Sequence, residues 1–211
     1  MHMLAGAYRT GELKDVVTDM PQDQFTRLLE QVTSDSRQFL EATQLANNEA
    51  FESMLDQALE AFTLKLGQIL GVERASLFLV DRERNEIWLK VAEEEGGRRV
   101  EVRMPMGAGI AGHVATTGEP MRIDDAYADD RFNPQVDRDT GFRTRTILCL
   151  PIHDRAGQVF AVAQLLNRMD EQRFDDGDEV RFGEFMASIG VILETWWQMN
   201  RAEDVASEAL A

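Results

Sequence analysis

The stretch NRMDEQRFDDGDE, residues 167–179, decides the fold of this 211-residue chain. It directly follows an apolar run at residues 158–166 that has the composition of a β-strand. From Asp175 onward the apolar residues recur at helical spacing instead. The sequence therefore predicts that the last strand of a sheet turns here into a long C-terminal helix, which begins near Asp175.

The apolar residues of this final helix follow one another at intervals of 3, 4, 3, 4 and 3, the spacing of a heptad seam. We expect the first half of the seam to pack on the domain's own sheet. The second half carries Trp196 and Trp197, and exposed aromatic residues of this size usually meet another chain. A parallel homodimer is therefore predicted through the seam residues Phe182, Phe185, Ile189, Ile192, Trp196 and Met199.

Upstream of the signature stretch the pattern predicts an α+β domain with one mostly antiparallel, six-stranded sheet and flanking helices. A short helix is predicted at residues 107–117. Residues 126–140 are predicted to form an irregular, partly helical excursion, and such long connections usually serve a function. The predicted strands lie at residues 75–80, 86–92, 100–104, 121–124, 144–152 and 158–166.

The chain divides on the same patterns into four segments. We expect a flexible arm at residues 1–22, an N-terminal connecting helix at 23–48, the α+β domain at 49–195 and a C-terminal helix extension at 196–211. Asp23 is the predicted N-cap of the connecting helix. Within the domain, a helix at residues 51–70 is predicted to end at Gly71 in a left-handed conformation.

Charge and composition exclude several functions. The net charge of −16 repels polyanions, so neither nucleic acid nor an anionic membrane is an expected partner. There is neither an apolar run of about 20 residues nor a signal-peptide pattern, so we expect a cytoplasmic protein. Cys149 is the single cysteine, which excludes an internal disulfide and a cysteine-based metal cluster within one chain.

Gly107, Gly109 and Gly112 form a G-x-G-x-x-G pattern, which in a βαβ unit would indicate dinucleotide binding. The neighbouring strands form a meander, so the dinucleotide interpretation is not favoured. A glycine-rich segment that opens a helix still presents free amides and the positive end of a dipole to an anion. Ile110 and Ala111 would supply those amides.

Catalytic and metal-binding patterns are not found. The three histidines lack ligand spacing, and the paired carboxylates occur where surface turns are predicted. No enzyme activity and no metal are therefore predicted. Cys149 lies in the middle of a predicted strand, which favours a buried structural thiol.

The sequence resembles the GAF domains that regulate cyclic-nucleotide phosphodiesterases and cyanobacterial adenylyl cyclases. The resemblance covers residues 73–179. It rests on the segments ASLFLVD (75–81), GIAGHVATTGE (109–119), DAYA (125–128), TGFRTR (140–145) and ILCLP (147–151). It also rests on the closing NKFDE signature, present here as Asn167, Arg168, Phe174, Asp178 and Glu179.

The resemblance implies a closed pocket for a cyclic nucleotide, cAMP in preference to cGMP. Arg74 and Ser76 would face the purine, and Ala92 and Glu93 would lie over it. The amides of Ile110 and Ala111 would bind the cyclic phosphate. The remaining implied contacts to phosphate, ribose or base are Asn133, Asp137, Thr140, Thr144 and Gln164.

For the signature the resemblance implies a structural role. Arg168 and Asp178 would pair between the last strand and the final helix, with Phe174 packed beneath. The implied function is a sensor that relays nucleotide occupancy through a helical dimer to an effector domain or partner. The alternatives are a GAF dimerisation module that binds nothing, or a GAF sensor of another ligand or chromophore.

Overall fold

The computed structural model describes residues 63–94 and 98–187, together with residues 17, 19–28, 31, 61, 190, 193 and 194. The chain divides into two compact units, one of Met1–Lys65 with Ser188–Ala211 and one of Leu66–Ala187. The second unit contains the sheet. Trp196 and Trp197, and with them most of the predicted dimer seam, lie outside the described residues.

In the first unit, residues 22–28 are helical, and the amide of Phe25 donates to the Pro21 carbonyl at 2.9 Å. Asp23 therefore lies inside the first turn, and its prediction as the N-cap is wrong because the chain already turns at Pro21. Val17, which belongs to the predicted flexible arm, is helical and only 1% exposed.

The second unit is built on a six-stranded antiparallel sheet in the order β3-β2-β1-β6-β5-β4. This confirms the predicted α+β class and the predicted number of strands. The two longest strands, β1 and β6, pair at the centre over seven register positions from Val72 with Arg168 to Leu79 with Ala161. The strands are β1 (Val72–Asp81), β2 (Glu86–Glu94), β3 (Arg98–Pro105), β4 (Met121–Ile123), β5 (Ile147–His153) and β6 (Val159–Arg168).

One face of this sheet is covered by the helix α1 (Gly109–Thr117), which lies against β5 and β6. Because side chains alternate along a strand, Phe78 and Val80 share this face with Arg74 and Ser76. The buried core between α1 and the sheet consists of Phe78, Val80, Ile87, Ile110, Ala111, Val114, Ala115, Ile123, Ala126, Ile147, Cys149, Val159 and Val162.

The excursion at residues 126–140 is partly helical, as predicted. It holds a 3₁₀ turn at Ala126–Ala128 and a short helix α2 at Gln135–Thr140. The helix that precedes β1 ends at Gly71 with φ of 63°, which confirms the predicted left-handed residue. None of the helices that the structure describes is long and apolar enough to cross a bilayer.

The glycine pattern before α1 forms a tight turn. Gly107 and Gly109 have φ of 91° and 68°, a region that L-residues rarely adopt. A Cβ atom on Gly112 would stand only 2.8 Å from the Gly107 amide nitrogen. The three glycines therefore shape this turn. The helix begins at Gly109, and not at the predicted Gly107, because residues 106–108 form the turn.

Asn167 fixes the chain between α2 and β5. Its side-chain Oδ1 accepts from the amides of Arg145 at 2.6 Å and Thr146 at 3.2 Å. Its Nδ2 donates to the Arg143 carbonyl at 2.8 Å and to Glu73 Oε2 at 2.7 Å. The prediction that β5 starts at residue 144 is therefore wrong, because Arg143, Arg145 and Thr146 bond to this side chain and the strand begins at Ile147.

The C-terminal helix begins where it was predicted. The amide of Asp178 donates to the Asp175 carboxylate at 2.9 Å, and the Asp175 amide donates to the Asp178 carboxylate at 2.9 Å. This is a reciprocal capping box, after which residues 176–187 are helical. The predicted pair of Arg168 and Asp178 is present at 2.5 Å, and Phe174 is buried, 4% exposed.

We predict that Gly112→Ala destabilises the domain by about 1–3 kcal/mol, because the added methyl group overlaps the Gly107 backbone. Gly183→Ala is the matched control, since a Cβ atom there meets nothing within 4 Å and the residue is helical. We expect this control to be stabilising by up to about 1 kcal/mol. Urea unfolding of both variants tests the prediction, and equal stability for the two would contradict it.

We also predict a loss of stability in acid that depends on Asp178. Burial raises the pKa of its carboxyl, but hydrogen bonds from the Asp175 amide, Arg181 and Arg168 outweigh burial and hold the pKa below its ordinary value of 3.8. Protons therefore bind the unfolded chain first as the pH falls, so this stabilisation is present above pH 3.8 and is lost below it.

The measurement is the free energy of unfolding between pH 6 and pH 2 for the wild type and for Asp178→Asn. The variant should start less stable and lose less stability over this range. Asp130→Asn removes an exposed carboxyl and should follow the wild-type curve. A wild-type slope in Asp178→Asn would refute this role of the carboxyl.

Candidate functional site

A small cavity lies at the start of α1, over the middle of the sheet. Its volume is ≈ 80 Å³. It is bounded by β3, the first turn of α1, the excursion and the central strand β6, and none of its lining side chains carries a charge. The lining residues are Met104, Ala108, Gly109, Ile110, Ala111, Phe132, Asn133 and Gln164.

The first turn of α1 faces this cavity without a cap. The N-cap residue Ala108 makes no side-chain hydrogen bond, and the first turn contains no acidic residue. The earliest intrahelical bond runs from the Gly112 amide to the Ala108 carbonyl at 3.2 Å. The preceding amides, which include those of Ile110 and Ala111, have no acceptor within the helix and lie at the positive end of its dipole.

Gln164 supplies a polar side chain from the sheet. It lies at the centre of β6, in register with Ser76 on β1 and with Cys149 on β5. Ser76 is half-buried and shares its face of the sheet. Because a carboxamide both donates and accepts hydrogen bonds, Gln164 can match either kind of group on a ligand.

Arg74 lies two residues before Ser76 on β1, on the same face of the sheet and opposite Leu166 of β6. Its guanidinium carbon stands 4.1 Å from the centre of the Phe142 ring, a cation–π contact. Arg74 is therefore held beside the cavity by an aromatic side chain, and it does not itself line the cavity wall.

Two aromatic residues of the excursion, Phe132 and Tyr127, belong to the site although no sequence pattern predicted them. Phe132 lines the cavity, and its ring centre lies 5.2 Å from that of Tyr127. The guanidinium of Arg143 stacks on Tyr127, with its carbon 3.6 Å from the ring centre. The available signal was the presence of two aromatic residues within a polar excursion, a pattern with no helical or strand period.

Asp137 and Thr144 bind each other. The Asp137 carboxylate accepts from the Thr144 amide at 2.7 Å, from its hydroxyl at 2.7 Å and from the Tyr127 hydroxyl at 3.0 Å. Both residues are buried, and neither lines the cavity. Their direct partners in this structure are protein groups, so the pair joins the excursion to residue 144.

The other predicted ligand residues fall into two groups. Asn133 lines the cavity, while its Oδ1 accepts from the Gln135 amide at 3.0 Å and so forms the turn before α2. Ala92 and Glu93 belong to the end of β2, and Thr140 ends α2, but their side chains lie outside the described residues.

The described side chains also bear on metals and chromophores. In residues 63–94 and 98–187 no group of three or more histidine, cysteine or acidic residues is arranged to hold a metal ion. Cys149 is fully buried, and burial raises the pKa of its thiol. The neutral, enclosed thiol fits the predicted structural role better than covalent attachment of a chromophore.

Similarity to solved structures extends over most of the chain. A GAF domain from a phosphoenolpyruvate-protein phosphotransferase of Coxiella burnetii superposes with a TM-score of 0.56 at 20% identity, over 85% of this chain and 98% of that one. The free methionine-R-sulfoxide reductase of Neisseria meningitidis gives 0.55 at 17% identity, over 85% and 95%. At these identities the comparison establishes the fold alone.

Curated relatives are more similar in sequence. The dual 3′,5′-cyclic-AMP and -GMP phosphodiesterase 11 of Drosophila melanogaster is 39% identical over 137 residues, 58% of this chain. The probable 3′,5′-cyclic phosphodiesterase pde-5 of Caenorhabditis elegans is 39% identical over 160 residues, 68% of this chain. The matched regions make up only 9% and 22% of those two proteins.

The family comparison covers the whole sheet, α1 and helix 176–187. The GAF domain model matches residues 54–193, which contain β1 to β6, the cavity and the capping box at Asp175. The sequence match, the antiparallel sheet and the fold neighbours agree, and the chain belongs to the GAF domain family.

Proposed function

We propose that this chain is a regulatory sensor that binds a cyclic nucleotide in the cavity at the start of α1, with cAMP favoured over cGMP. The observation that carries this proposal is the convergence of Ile110, Ala111, Asn133 and Gln164 on that one cavity. Two of the curated relatives are named as 3′,5′-cyclic phosphodiesterases, one of them for cAMP and cGMP together and the other as a probable enzyme.

The chemistry of the cavity suits a cyclic phosphate. Backbone amides at a helix start bind phosphate oxygens by short hydrogen bonds and by the local dipole. Because no lining side chain is acidic, the net charge of −16 acts on the ligand only from outside the cavity. At a physiological Debye length of about 8 Å, that long-range repulsion is much weaker than bonds made at contact.

The purine would extend over the central strands toward Ser76 and Arg74. Gln164 can bind a donor or an acceptor, so it serves either nucleotide, and the preference for cAMP rests on the Arg74 and Ser76 pair. The guanidinium of Arg74 is already held against Phe142, which lowers the entropic cost of placing it beside a base.

A nucleotide must enlarge this cavity to enter it. The present volume of ≈ 80 Å³ is well below the roughly 300 Å³ at which ligand pockets of this kind begin. Phe132 and the excursion form the outer wall, so they would move outward and close again over the ligand. The closed state would then be relayed through a dimer of C-terminal helices to an effector domain or partner, provided that the ligand favours one arrangement of the helices.

The competing function is a GAF module that dimerises and binds no nucleotide. The observation that favours it is the same small cavity, whose outer wall already packs against the core through Phe132. A GAF sensor of another ligand would also give no response to either nucleotide, and a coloured purified protein would identify that ligand as a chromophore.

We predict that cAMP raises the free energy of unfolding by about 2.7 kcal/mol at 100 times its dissociation constant, and that cGMP does so only at higher concentration. Gln164→Leu should weaken binding roughly 2- to 12-fold, the range expected for one net hydrogen bond. Thermal unfolding and calorimetric titration with both nucleotides measure these effects.

Gln158→Leu is the matched control, because Gln158 is exposed on the turn between β5 and β6. It should bind with wild-type affinity. If neither nucleotide stabilises the wild type, the dimerisation module becomes the better interpretation. Equal weakening by the two substitutions would exclude Gln164 as a contact.

A further inference from the structure

Residues 143–146 are attached to the excursion at three points. Thr144 binds the Asp137 carboxylate through both its amide and its hydroxyl, each at 2.7 Å. The Arg145 carbonyl accepts from the Ala126 amide at 2.8 Å. The Arg143 guanidinium stacks on Tyr127, whose ring in turn contacts the cavity residue Phe132.

The same segment is attached on its other side to Asn167, through Arg143, Arg145 and Thr146. The side-chain carboxamide of Asn167 binds the Arg143 carbonyl and the amides of Arg145 and Thr146. Its main-chain amide donates to the Thr146 carbonyl at 3.0 Å. The next residue, Arg168, pairs with Asp178 in the first turn of helix 176–187. An unbroken series of contacts therefore joins the cavity wall to that helix.

One polar atom in this segment has no partner. The hydroxyl of Thr146 is the sole buried side-chain oxygen or nitrogen without a hydrogen bond among the described residues. An unsatisfied buried hydroxyl costs free energy, so an arrangement that gives it a partner competes with the present one. The segment thus has a physical reason to adopt a second set of bonds.

We propose that residues 143–146 are the mechanical link that couples the position of the excursion to helix 176–187. Outward movement of Phe132 and Tyr127 pulls on Thr144 and Arg143, and the segment passes the displacement to Asn167 and through Arg168 to Asp178. As a route for nucleotide occupancy the link rests on the proposed function, whereas the coupling itself exists without any ligand.

The ligand-free test uses hydrogen exchange on the full chain with Thr144→Val, which removes the hydroxyl bond to Asp137 and retains the side-chain shape. We expect amides in residues 126–140 and in helix 176–187 to exchange roughly threefold faster or more, the effect of losing one hydrogen bond. Thr116→Val is the matched control, since that hydroxyl donates to the Gly112 carbonyl within α1.

A general loss of stability would also accelerate exchange, so Gly112→Ala serves as a second control that weakens the domain without touching residues 143–146. The link is supported if amides of helix 176–187 exchange faster in Thr144→Val than in a Gly112→Ala protein with the same free energy of unfolding. Acceleration confined to residues 126–140 would overturn it. If Thr144→Val does not fold, Tyr127→Phe removes only the hydroxyl bond to Asp137 and is judged by the same two segments.

The nucleotide test adds saturating cAMP or cGMP to the wild type and to Arg168→Gln. The variant should keep the ligand-induced protection of residues 126–140 and lose at least about half of the response in helix 176–187. Arg173→Gln, which breaks an exposed ion pair with Asp124, should respond as the wild type does.

A full helix response in Arg168→Gln would refute the link. The absence of any response of residues 126–140 in the wild type would refute the proposed function instead. In that case the ligand-free comparison alone decides the coupling.

Discussion

The buried carboxamide of Asn167 is the interaction on which the rest of this domain depends. The residue has φ of 52°, a conformation that asparagine adopts more readily than most non-glycine residues, and it is only 1% exposed. At that angle its side chain turns back from the end of β6 and bonds Arg143, Arg145 and Thr146, which lie outside the ladder of β5 with β6. Because a buried amide is costly unless both of its ends are bonded, the conformation of this segment is closely constrained.

The starts of α1 and of helix 176–187 differ in how their free amides are bonded. At helix 176–187 the Asp175 carboxylate accepts from the Asp178 amide, the Asp178 carboxylate accepts from the Asp175 amide, and Arg168 and Arg181 bind the Asp178 carboxylate. At α1 no side chain caps the first turn, and the amides face a cavity. The start of helix 176–187 is therefore capped by its own residues, whereas the start of α1 leaves its amide donors for another acceptor.

Local patterns in the sequence were sufficient for the elements that depend on near neighbours. The six strands, the left-handed Gly71 and the start of the last helix at Asp175 follow from periodicity and from capping residues. The path of residues 143–146 does not, because Asn167 binds them across 21 to 24 positions and no local pattern reports such bonds. The β-branched Thr144 and Thr146, directly before the apolar run at 147–152, predict a strand from residue 144, and the distant side chain overrides that local preference.

The residues of the candidate site also differ in whether the sequence could predict them. The amides of Ile110 and Ala111 could be predicted from the glycine-rich helix start, and Gln164 from the resemblance to relatives. Phe132 and Tyr127 could not, because their position depends on how the excursion folds back onto the sheet. The mutual bonding of Asp137 and Thr144 was equally hidden, since the resemblance implies a ligand contact for each residue and says nothing about a bond between them.

The uncharged lining of the cavity also determines how such a site behaves in salt. Contacts made by amides and a carboxamide carry no net charge, so added ions weaken them little once a ligand is bound. The net charge of −16 acts earlier, on the approach of an anion through solvent. Salt would therefore raise the rate of capture and leave the rate of release almost unchanged. This is the reverse of the behaviour of a phosphate site built from lysine and arginine.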